Sequence, residues 1–468
     1  MEILIQTTDL KTEKQLSITL RKKTTFKFLQ IAKLLGLKWV FWRLSYYFKL
    51  RIGLLQRKTP VMRWEDLQAP MISGTFFSPS IRSGDAIAAA DDIRDGKFSF
   101  FSFHKFDTGF PPDWFANPFE EKTHNSYTLS QRHWSKISDF GSEDIKCIWE
   151  LSRFTWVYPL LQAYMASGDE SYSETFWQLV ADWANNNPPN KGVNWMCGQE
   201  IAIRMMALLT GYFILENSKK TSAERKRLVE QMLYAFAKRI ETNIGYALSQ
   251  NNNHGISEAT GLFTAGVLFG EEAWTRKGKS LLESQVEDLV YTDGSFSQHS
   301  ANYHRVMLHA GIWAISLGRA NAIEFSNRFI DKIRLAGKWL LALADPVSGK
   351  LPNLGANDGA LILPVTQCDY ADCRPTIQAV GTMTDHCPWL PKGEWDDLAL
   401  WLGSKADGWK SGVGRQETCT GRQDSAGSRQ SLNDIYFPDG GYAVLSKKNT
   451  KLIFHCPERF RHRPSQCD

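Results

Sequence analysis

The sequence predicts a mainly α-helical fold in which helical hairpins are followed by the start of an antiparallel β region. Eight segments between residues 149 and 344 repeat their apolar residues at a spacing near 3.6, as amphipathic helices do. Short polar or glycine-containing breakers separate several of these segments, which is typical of antiparallel hairpins. After the helices, the segments Tyr436–Leu445 and Lys451–His455 predict strands, and a short strand is also predicted at Phe98–Phe103. Hairpins of this kind can curl into an α/α toroid or form another all-α array.

The predicted helices follow one another through the middle of the chain. They cover Trp149–Ser167, Ser171–Ala184, Gly198–Asn217, Ala223–Ser249, Ile256–Phe269, Ala273–Val290, Tyr303–Leu317 and Glu324–Ala344. The breakers at 168–169, 185–189, 251–253 and 293–295 are rich in Asn, Gly, Pro or Asp. Because the connections are short, we expect consecutive helices to be antiparallel neighbours.

Composition divides the chain into four predicted parts. Residues 1–60 hold 13 Lys and Arg against 3 Asp and Glu, and the stretch 26–55 predicts a basic amphipathic helix or a pair of helices. Residues 61–402 form the predicted toroid domain. Residues 403–432 lack apolar periodicity and predict a linker or loop. Residues 433–468 predict the start of a C-terminal β domain, which we expect to be truncated because one hairpin is marginal on its own.

Composition and charge narrow the classes of function. With 43% hydrophobic residues among 468, the chain can bury a large core, and disorder is excluded as a description of the whole chain. The net charge of +5 belongs to the N-terminal arm, since residues 61–468 hold 42 Lys and Arg against 47 Asp and Glu. Nucleic-acid binding by the whole surface is therefore not expected. The arm can lie on an anionic membrane or pack on the body with its lysines in solvent.

Cysteine usage and short motifs predict neither a disulfide scaffold nor a resident cofactor. The eight cysteines are scattered, which favours free thiols, although a Cys368–Cys373 bridge stays open. No glycine-rich nucleotide loop, HExxH metal motif or GxSxG nucleophile motif is present. His299 and His304 are five residues apart, which is off register for a helical metal pair. A divalent metal in a missing β domain also stays open.

The most informative polar segment is 251–259, where three successive Asn residues precede a predicted helix. One Asn is enough to cap a helix, so Asn253 and the following His254 are candidate site residues. Glu258 lies four residues after His254 and therefore on the same helix face. The alternative is an elaborate cap with a pair on the helix surface.

A second polar segment, 293–305, leads into the helix predicted near Tyr303. It places His299, Asn302 and His304 beside that tyrosine. Cationic neighbours can lower the pKa of a phenol from its usual value of about 10, so Tyr303 is a candidate acid and base. The alternative is a buried tyrosine with a structural role.

Two further segments, 149–153 and 194–204, combine Trp, Glu and Arg, and a third, 351–359, is a polar loop that contains glycine. Their candidate substrate-binding residues are Trp149, Arg153, Asn194, Trp195, Glu200, Arg204 and Asn357. Trp rings can stack on sugars, and Arg side chains can bind acidic groups. Buried Glu–Arg pairs that join helices explain the first two segments equally well, and the loop 351–359 can line a site or simply turn.

Taken together, these segments resemble the heparinase II/III-like polysaccharide lyases. The matching stretches are 149–153, 194–204, 252–259, 293–304, 355–358, 439–442 and 462–468. Each stretch alone is a weak signal, and their order and spacing over about residues 30–468 carry the resemblance. The resemblance implies an α/α toroid followed by an antiparallel β-sandwich, and cleavage of uronate-containing polysaccharides by β-elimination.

The resemblance also implies roles for individual residues. Asn253, helped by His254, would bind and neutralise the uronate carboxylate, and Tyr303 would act as base and then as acid at the scissile bond. The chemistry agrees, because removing a proton next to a carboxylate places further negative charge on that group. Hydrogen-bond donors aimed at the carboxylate spread this charge and lower the barrier.

The sequence departs from the family pattern near its end. A β-domain histidine in a His-Ala-Asp-like stretch joins the site in the family, whereas Gln466 and Cys467 stand at the matching positions here. Glutamine can donate a hydrogen bond but cannot shuttle a proton, and His462 lies four residues away. No secretory signal is seen either. We therefore expect a protein that makes or trims a bacterial surface polysaccharide, in the cytoplasm or peripheral to the inner membrane, with the periplasm as the alternative.

The expected function is that of a polysaccharide lyase acting on an acidic glycan. Two alternatives stay open at this point. One is a non-catalytic glycan-binding or biosynthesis-associated protein of the same fold. The other is an (α/α) glycoside hydrolase that uses paired carboxylates such as Glu258 and Asp293 across a cleft.

Overall fold

The computed structural model describes residues 37–82, 86–120, 131–137, 144–404, 434–447 and 450–457. It contains two compact units, Met1–Leu54 and Leu55–Asp468. The predicted linker falls mainly on residues 405–433, and His462 and Gln466 fall within 458–468, so these predictions lie outside the described residues. No helix in the described ranges is long and apolar enough to cross a membrane.

The described helix of the first unit is α1, Leu37–Arg51. Lys49 and Arg51 lie in its last turn, where positive charge suits the negative end of the helix dipole. Phe41, Leu44 and Phe48 are each more than half exposed. The basic helix predicted between residues 26 and 55 is thus described from Leu37 onward.

The remaining described helices follow in chain order. They are α2 Leu54–Lys58, α3 Ile87–Arg94, α4 Lys146–Trp149, α5 Val157–Ser167, α6 Glu170–Asn186, α7 Gly198–Ile214, α8 Ala223–Gln250, α9 Asn253–Phe269, α10 Glu272–Leu289, α11 Ala301–Ala320, α12 Asn327–Leu343, α13 Arg374–Thr384 and α14 Asp397–Trp401. Tight connections join most of these helices into hairpins.

The helices of the second unit form two layers. Helices α5, α7, α9, α11 and α13 form the inner layer, and each packs against the next. Helices α6, α8, α10 and α12 alternate with them and pack on their outer side. Residues 255–269 of α9 and 301–318 of α11 are all buried, whereas the outer helices bury one face only. This alternation is an α/α toroid, and the predicted fold class is confirmed.

Helices α9 and α10 approach closely because each carries a glycine at the contact. A Cβ atom added at Gly266 would lie 2.3 Å from the backbone nitrogen of Thr275, and one added at Gly278 would lie 2.4 Å from that of Phe263. A larger residue at either position would push the two helices apart.

The structure differs from the predicted helices at two places. The first predicted helix is interrupted, since Phe154 adopts a left-handed φ of 65° between the 3₁₀ turn Leu151–Arg153 and α5. Helix α13 was not predicted at all. Its residues 375–384 are all buried, and its polar side chains Thr376 and Gln378 bond to His309 and Asp396 of neighbouring segments.

Two small antiparallel sheets complete the described fold. Strands β1 Lys97–Phe100 and β2 His104–Asp107 form a hairpin. Near the C-terminus, β3 Ile435–Phe437, β4 Tyr442–Lys447 and β5 Thr450–His455 pair in sequence order. The Tyr442 ring lies 5.1 Å from the Trp339 ring of α12, and Gly440 donates its N–H to the Asp293 carboxylate at 2.9 Å. The predicted β pattern therefore exists and packs on the helical body.

Candidate active site

The candidate site forms where three inner helices begin. Helix α7 starts at Gly198, α9 at Asn253 and α11 at Ala301. The Asn253 side chain donates from Nδ2 to Oε1 of Gln199 at 2.7 Å, and its backbone N–H donates to Oε1 of Gln298 at 3.2 Å. These bonds join the starts of α7 and α9 to the segment that leads into α11. The positive ends of helix dipoles meet there, which favours a bound anion.

Neighbouring residues cap two of these helices. Asn252 is the N-cap of α9 and accepts from the His254 N–H at 3.0 Å. Ser300 is the N-cap of α11 and accepts from the Tyr303 N–H at 3.0 Å. Part of the polar run at 251–253 is therefore a cap, as the structural alternative proposed. Asn253 itself is not needed for capping and bonds across the site.

Tyr303 is paired with a carboxylate. Its hydroxyl donates to Oδ2 of Asp358 at 3.0 Å, and Asn302 donates from Nδ2 to Oδ1 of the same residue at 3.2 Å. The N–H of Ala360 also donates to Oδ1 at 3.2 Å. Tyr303 is only 5% exposed, so it lies in a polar pocket and not on the open surface. The carboxylate is placed to accept the phenolic proton.

Tyr370 extends this network on the other side of Asn302. Its hydroxyl donates to Oδ1 of Asn302 at 2.6 Å and approaches Oδ1 of Asn357 at 2.8 Å. The Arg305 guanidinium lies over the Tyr370 ring, 4.2 Å from its centroid, and donates to Oδ1 of Asn302 at 3.3 Å. Asn357 is exposed and marks the solvent side of the network.

A buried ionic cluster supports the opposite side of the site. Arg153 donates to both oxygens of Glu200, at 2.6 and 3.0 Å, and also donates to Glu150. Glu150 accepts from the Phe101 N–H at 2.9 Å. Burial, together with a smaller effect of the Glu200 charge, raises the pKa of Glu150 to about 7 against the opposing effect of Arg153. The charge of Asp358 also reaches Glu150 and Arg153, which places the cluster beside the tyrosine site.

His254 lies close enough to both the Tyr303–Asp358 pair and the ionic cluster around Arg153 for their charges to affect it. Its Nδ1 is 3.7 Å from Sγ of Cys197, the N-cap of α7. Burial lowers its pKa to about 4, although Glu200 and Asp358 both act to raise it. The imidazole is therefore neutral near neutral pH and can take part in hydrogen bonds without carrying a charge.

Trp149, Glu258 and His299 border the site through other contacts. Trp149 donates from Nε1 to the carbonyl of Val193 at 2.9 Å. The Glu258 carboxyl packs against Gly198, where an added Cβ would lie 2.3 Å from its Cδ, and burial raises its pKa to about 8. The His299 ring lies 5.0 Å from the His455 ring of β5, so this histidine meets the small sheet.

The structure places four predicted substrate-binding residues in the core instead of the site. Trp195 packs on Trp183 and Phe236, and His304 stacks on Trp339 at 4.5 Å. The remaining two are Asn194, which bonds Asn187 at 3.0 Å, and Arg204, which donates to backbone carbonyls of Ser152 and Asn194. All four are at most 1% exposed. Their polar atoms serve packing.

Several residues of the site were not singled out from the sequence. They are Gln199, Gln298, Asp358 and Tyr370. Asp358 closes the matched stretch 355–358, so its acidic side chain was the available signal. Tyr370 lies in a segment with no periodicity or motif and gave none.

The arrangement of His, Cys, Asp and Glu side chains in the described residues does not indicate a metal site. Within the described ranges, no group of three or more His, Cys, Asp or Glu side chains is arranged to hold one. The open possibility of a metal in a further β domain concerns residues outside these ranges.

Comparison with known families decides the classification. Residues 86–361 match the family model described as heparinase II/III N-terminus, which is more than half of the chain. The chain belongs to the heparinase II/III family. The resemblance seen in the sequence is confirmed.

Individual relatives in this family are distant. The heparin-sulfate lyase of Bacteroides thetaiotaomicron is 28% identical over 208 residues, which cover 42% of this chain and 29% of that protein. The heparin-sulfate lyase of Pedobacter heparinus is 25% identical over 196 residues, which cover 40% of this chain and 29% of that protein. The matched parts thus span less than a third of each of these relatives.

Solved structures of heparinases also align with this chain. A crystal structure of heparinase III aligns with a TM-score of 0.48 and 19% identity, covering 87% of this chain and 57% of that chain. The heparan sulfate lyase HepC from Pedobacter heparinus aligns with a TM-score of 0.44 and 16% identity, covering 81% of this chain and 52% of that chain.

Proposed function

We propose that this protein is a polysaccharide lyase that cleaves an acidic, uronate-containing glycan by β-elimination. The observation that carries the proposal is the pairing of Tyr303 with Asp358 at 3.0 Å beside the start of α9, in a chain of the heparinase II/III family. The heparin-sulfate lyases among its relatives support a glycosaminoglycan as the substrate class.

Asn253 and His254 are suited to bind the uronate carboxylate. An amide has two N–H donors, and the described bond to Gln199 uses one of those on Asn253. His254 is neutral near neutral pH, so it can donate a hydrogen bond without a change in charge. Both residues lie at the positive end of α9, where charge that develops on the carboxylate is stabilised.

Tyr303 and Asp358 are suited to move the proton. As the C5–H bond breaks, the phenolic oxygen takes that proton and its own proton passes to Asp358. The C4–O4 bond then breaks, a C4–C5 double bond forms, and the proton returns through Tyr303 to the leaving oxygen. No water enters the products, which distinguishes elimination from hydrolysis.

The hydrolase alternative fits the structure less well. It needs two available carboxylates across a cleft, and Glu258 and Asp293 were the candidates. Both oxygens of Asp293 are engaged, one by the N–H and hydroxyl of Ser295 and the other by the Gly440 N–H. Asp293 therefore holds a turn and anchors the small sheet.

Product chemistry tests the proposal. The protein is incubated with heparan sulfate, chondroitin, hyaluronan, alginate and polygalacturonate, and the absorbance of the unsaturated product is followed. We expect absorbance to rise with at least one polymer and to fall by at least about 100-fold in Tyr303→Phe. Tyr436→Phe is the matched control, because Tyr436 is 60% exposed on β3.

Two results would contradict the lyase. New reducing ends without the unsaturated chromophore would indicate a hydrolase. Binding of a polymer without cleavage of any of them would indicate a glycan-binding protein. The predicted location, cytoplasmic or peripheral to the bacterial inner membrane, remains part of the proposal and is tested by fractionating cells that express the full chain.

A further inference from the structure

A cavity of about 360 Å³ lies within the second unit, between α3, α5, α11 and the segment 361–376. Its walls include Ser99, Glu150, Trp156, Arg305, His309 and Tyr370. We call it the Arg305 cavity. Its volume lies within the range of roughly 300–1,000 Å³ that is usual for small-molecule sites. Tyr303, Asn253 and His254 do not line it, so it is distinct from the place where the proton moves.

The Arg305 cavity is nevertheless linked to the candidate active site through residues that take part in both. Arg305 and Tyr370 line the cavity and also bond to Asn302, whose amide holds Asp358. Glu150 lines it as well and belongs to the ionic cluster with Arg153. A glycan whose scissile bond lies at Tyr303 would therefore reach this cavity with a neighbouring sugar.

Most charges on the cavity wall are already paired. Asp92 accepts from Lys105 at 2.5 Å, Asp372 from Arg374 at 2.6 Å, and Asp369 lies 3.4 Å from Lys350. Glu150 is paired with Arg153. These carboxylates do not leave the cavity strongly negative, so an anion is not excluded from it.

Arg305 differs from these groups. Its described hydrogen bonds go to neutral acceptors, the Tyr370 carbonyl and Oδ1 of Asn302, and none of the described ion pairs includes it. Its Nε is buried and has no hydrogen-bond partner among the described residues, while the residue is 4% exposed. A buried cation without an anion is costly, which indicates that an anion completes the site.

His309 adds a second polar group to the same wall. Its Nε2 lies 2.9 Å from Oγ1 of Thr376, and its buried Nδ1 has no partner in the described part of the chain. Burial lowers its pKa to about 3, so the ring is neutral and offers hydrogen bonding, not charge. Trp156 supplies an apolar surface beside it, as sugar sites commonly do.

We propose that the Arg305 cavity binds an acidic sugar and that Arg305 recognises the carboxylate of that sugar. The proposal rests on the proposed function in one respect, since the sugar is taken to be a neighbouring unit of the cleaved glycan. Arg305 is then a specificity-determining residue. It selects acidic over neutral chains at a position away from Tyr303.

Direct binding of single sugars to the full chain tests this proposal. Sodium D-glucuronate, D-glucose and sodium acetate are titrated in turn, and the heat of binding is measured. We expect glucuronate to bind, and glucose and acetate to bind at least tenfold more weakly, because the site requires both the ring and the charge. A tenfold change corresponds to about 1.4 kcal/mol.

Variants locate the binding. Arg305→Gln and Ser99→Trp should each raise the Kd for glucuronate at least tenfold, the first by removing the charge and the second by filling the cavity. Ser99 is exposed on β1, so its replacement should not disturb folding. Ser280→Trp on the exposed side of α10 is the matched control and should leave the Kd unchanged.

The outcomes separate this proposal from the lyase itself. Tyr303→Phe should lose elimination and still bind glucuronate. The cavity proposal is overturned if glucuronate does not bind, if glucose or acetate binds as well, or if Ser99→Trp binds with unchanged Kd. Failure to form an unsaturated product from any polymer would count against the lyase and leave this binding result intact.

Discussion

Two buried arginines on inner helices, Arg204 of α7 and Arg305 of α11, have different surroundings. Arg204 is fully buried, donates to two backbone carbonyls and lies 4.5 Å from the Trp183 ring centroid. Burial lowers its pKa to about 9. The described hydrogen bonds of Arg305 also go to neutral acceptors, but Arg305 lines a cavity and bonds to Asn302 of the candidate active site.

The comparison shows that burial without a carboxylate partner does not identify a binding residue. Arg204 is enclosed by Trp183, Phe154 and Phe236, so no ligand can reach it. Its role is to hold the turn before α5 against α7. Arg305 has the same chemistry beside an open volume, and there the unsatisfied donor can meet a ligand.

The largest expected effect separates the two arginines by stability. Arg204→Gln should lower the free energy of unfolding by about 2–4 kcal/mol, because the carbonyls of Ser152 and Asn194 lose their donor inside the core. Arg305→Gln should cost only about 1 kcal/mol, because water in the cavity can replace the lost bonds. Urea unfolding of both variants measures the difference. Equal losses would contradict the distinction drawn between the two sites.

A second prediction concerns the carboxylate beside Tyr303. Asp358→Asn keeps an oxygen that accepts from the phenol but cannot take its proton, so kcat should fall by about 10–100-fold. KM should change by less than kcat, since the substituted group does not touch the bound carboxylate in the proposed mechanism. Steady-state kinetics with the cleaved polymer measure both. A loss confined to KM would show that Asp358 acts in binding.

The smallest expected effect is a change in pH dependence at Glu258. Burial raises its pKa from 4.5 to about 8, with Arg239 opposing the shift. Between these values the folded protein holds a proton that the unfolded chain has released, so this group lowers stability as pH rises through the window. Glu258→Gln should remove that contribution.

Unfolding free energies of wild type and Glu258→Gln at several pH values measure this contribution. The difference between the two proteins should change by at least about 1 kcal/mol from the lower to the upper end of the window. Glu324→Gln, at an exposed position before α12, is the control. A constant difference across the window would mean that Glu258 titrates alike in both states.

The sequence by itself determined the helices and the polar segments that precede them. Apolar spacing locates α6 to α12 to within a few residues, both for the outer helices, which keep one face in solvent, and for the buried inner helices α7, α9 and α11. Ser222, Asn252, Ser300 and Ser326 cap helices where short polar residues precede apolar runs. The order of these polar segments was also sufficient to recognise the resemblance to the heparinase II/III family. Apolar spacing and capping residues are local signals, so they can be recognised in the sequence without knowledge of the fold.

Only the tertiary structure decided which polar residues share a site. The bond from Tyr303 to Asp358 joins positions 55 apart, and that from Asn253 to Gln199 joins positions 54 apart. Tyr303 and His304 are adjacent in sequence, yet one meets a carboxylate and the other stacks on Trp339. Successive residues of an inner helix point in different directions, about 100° apart, so one reaches the pocket and the next reaches the core. The packing of the helices in the toroid decides which of the two residues faces the pocket. No local sequence pattern indicates this.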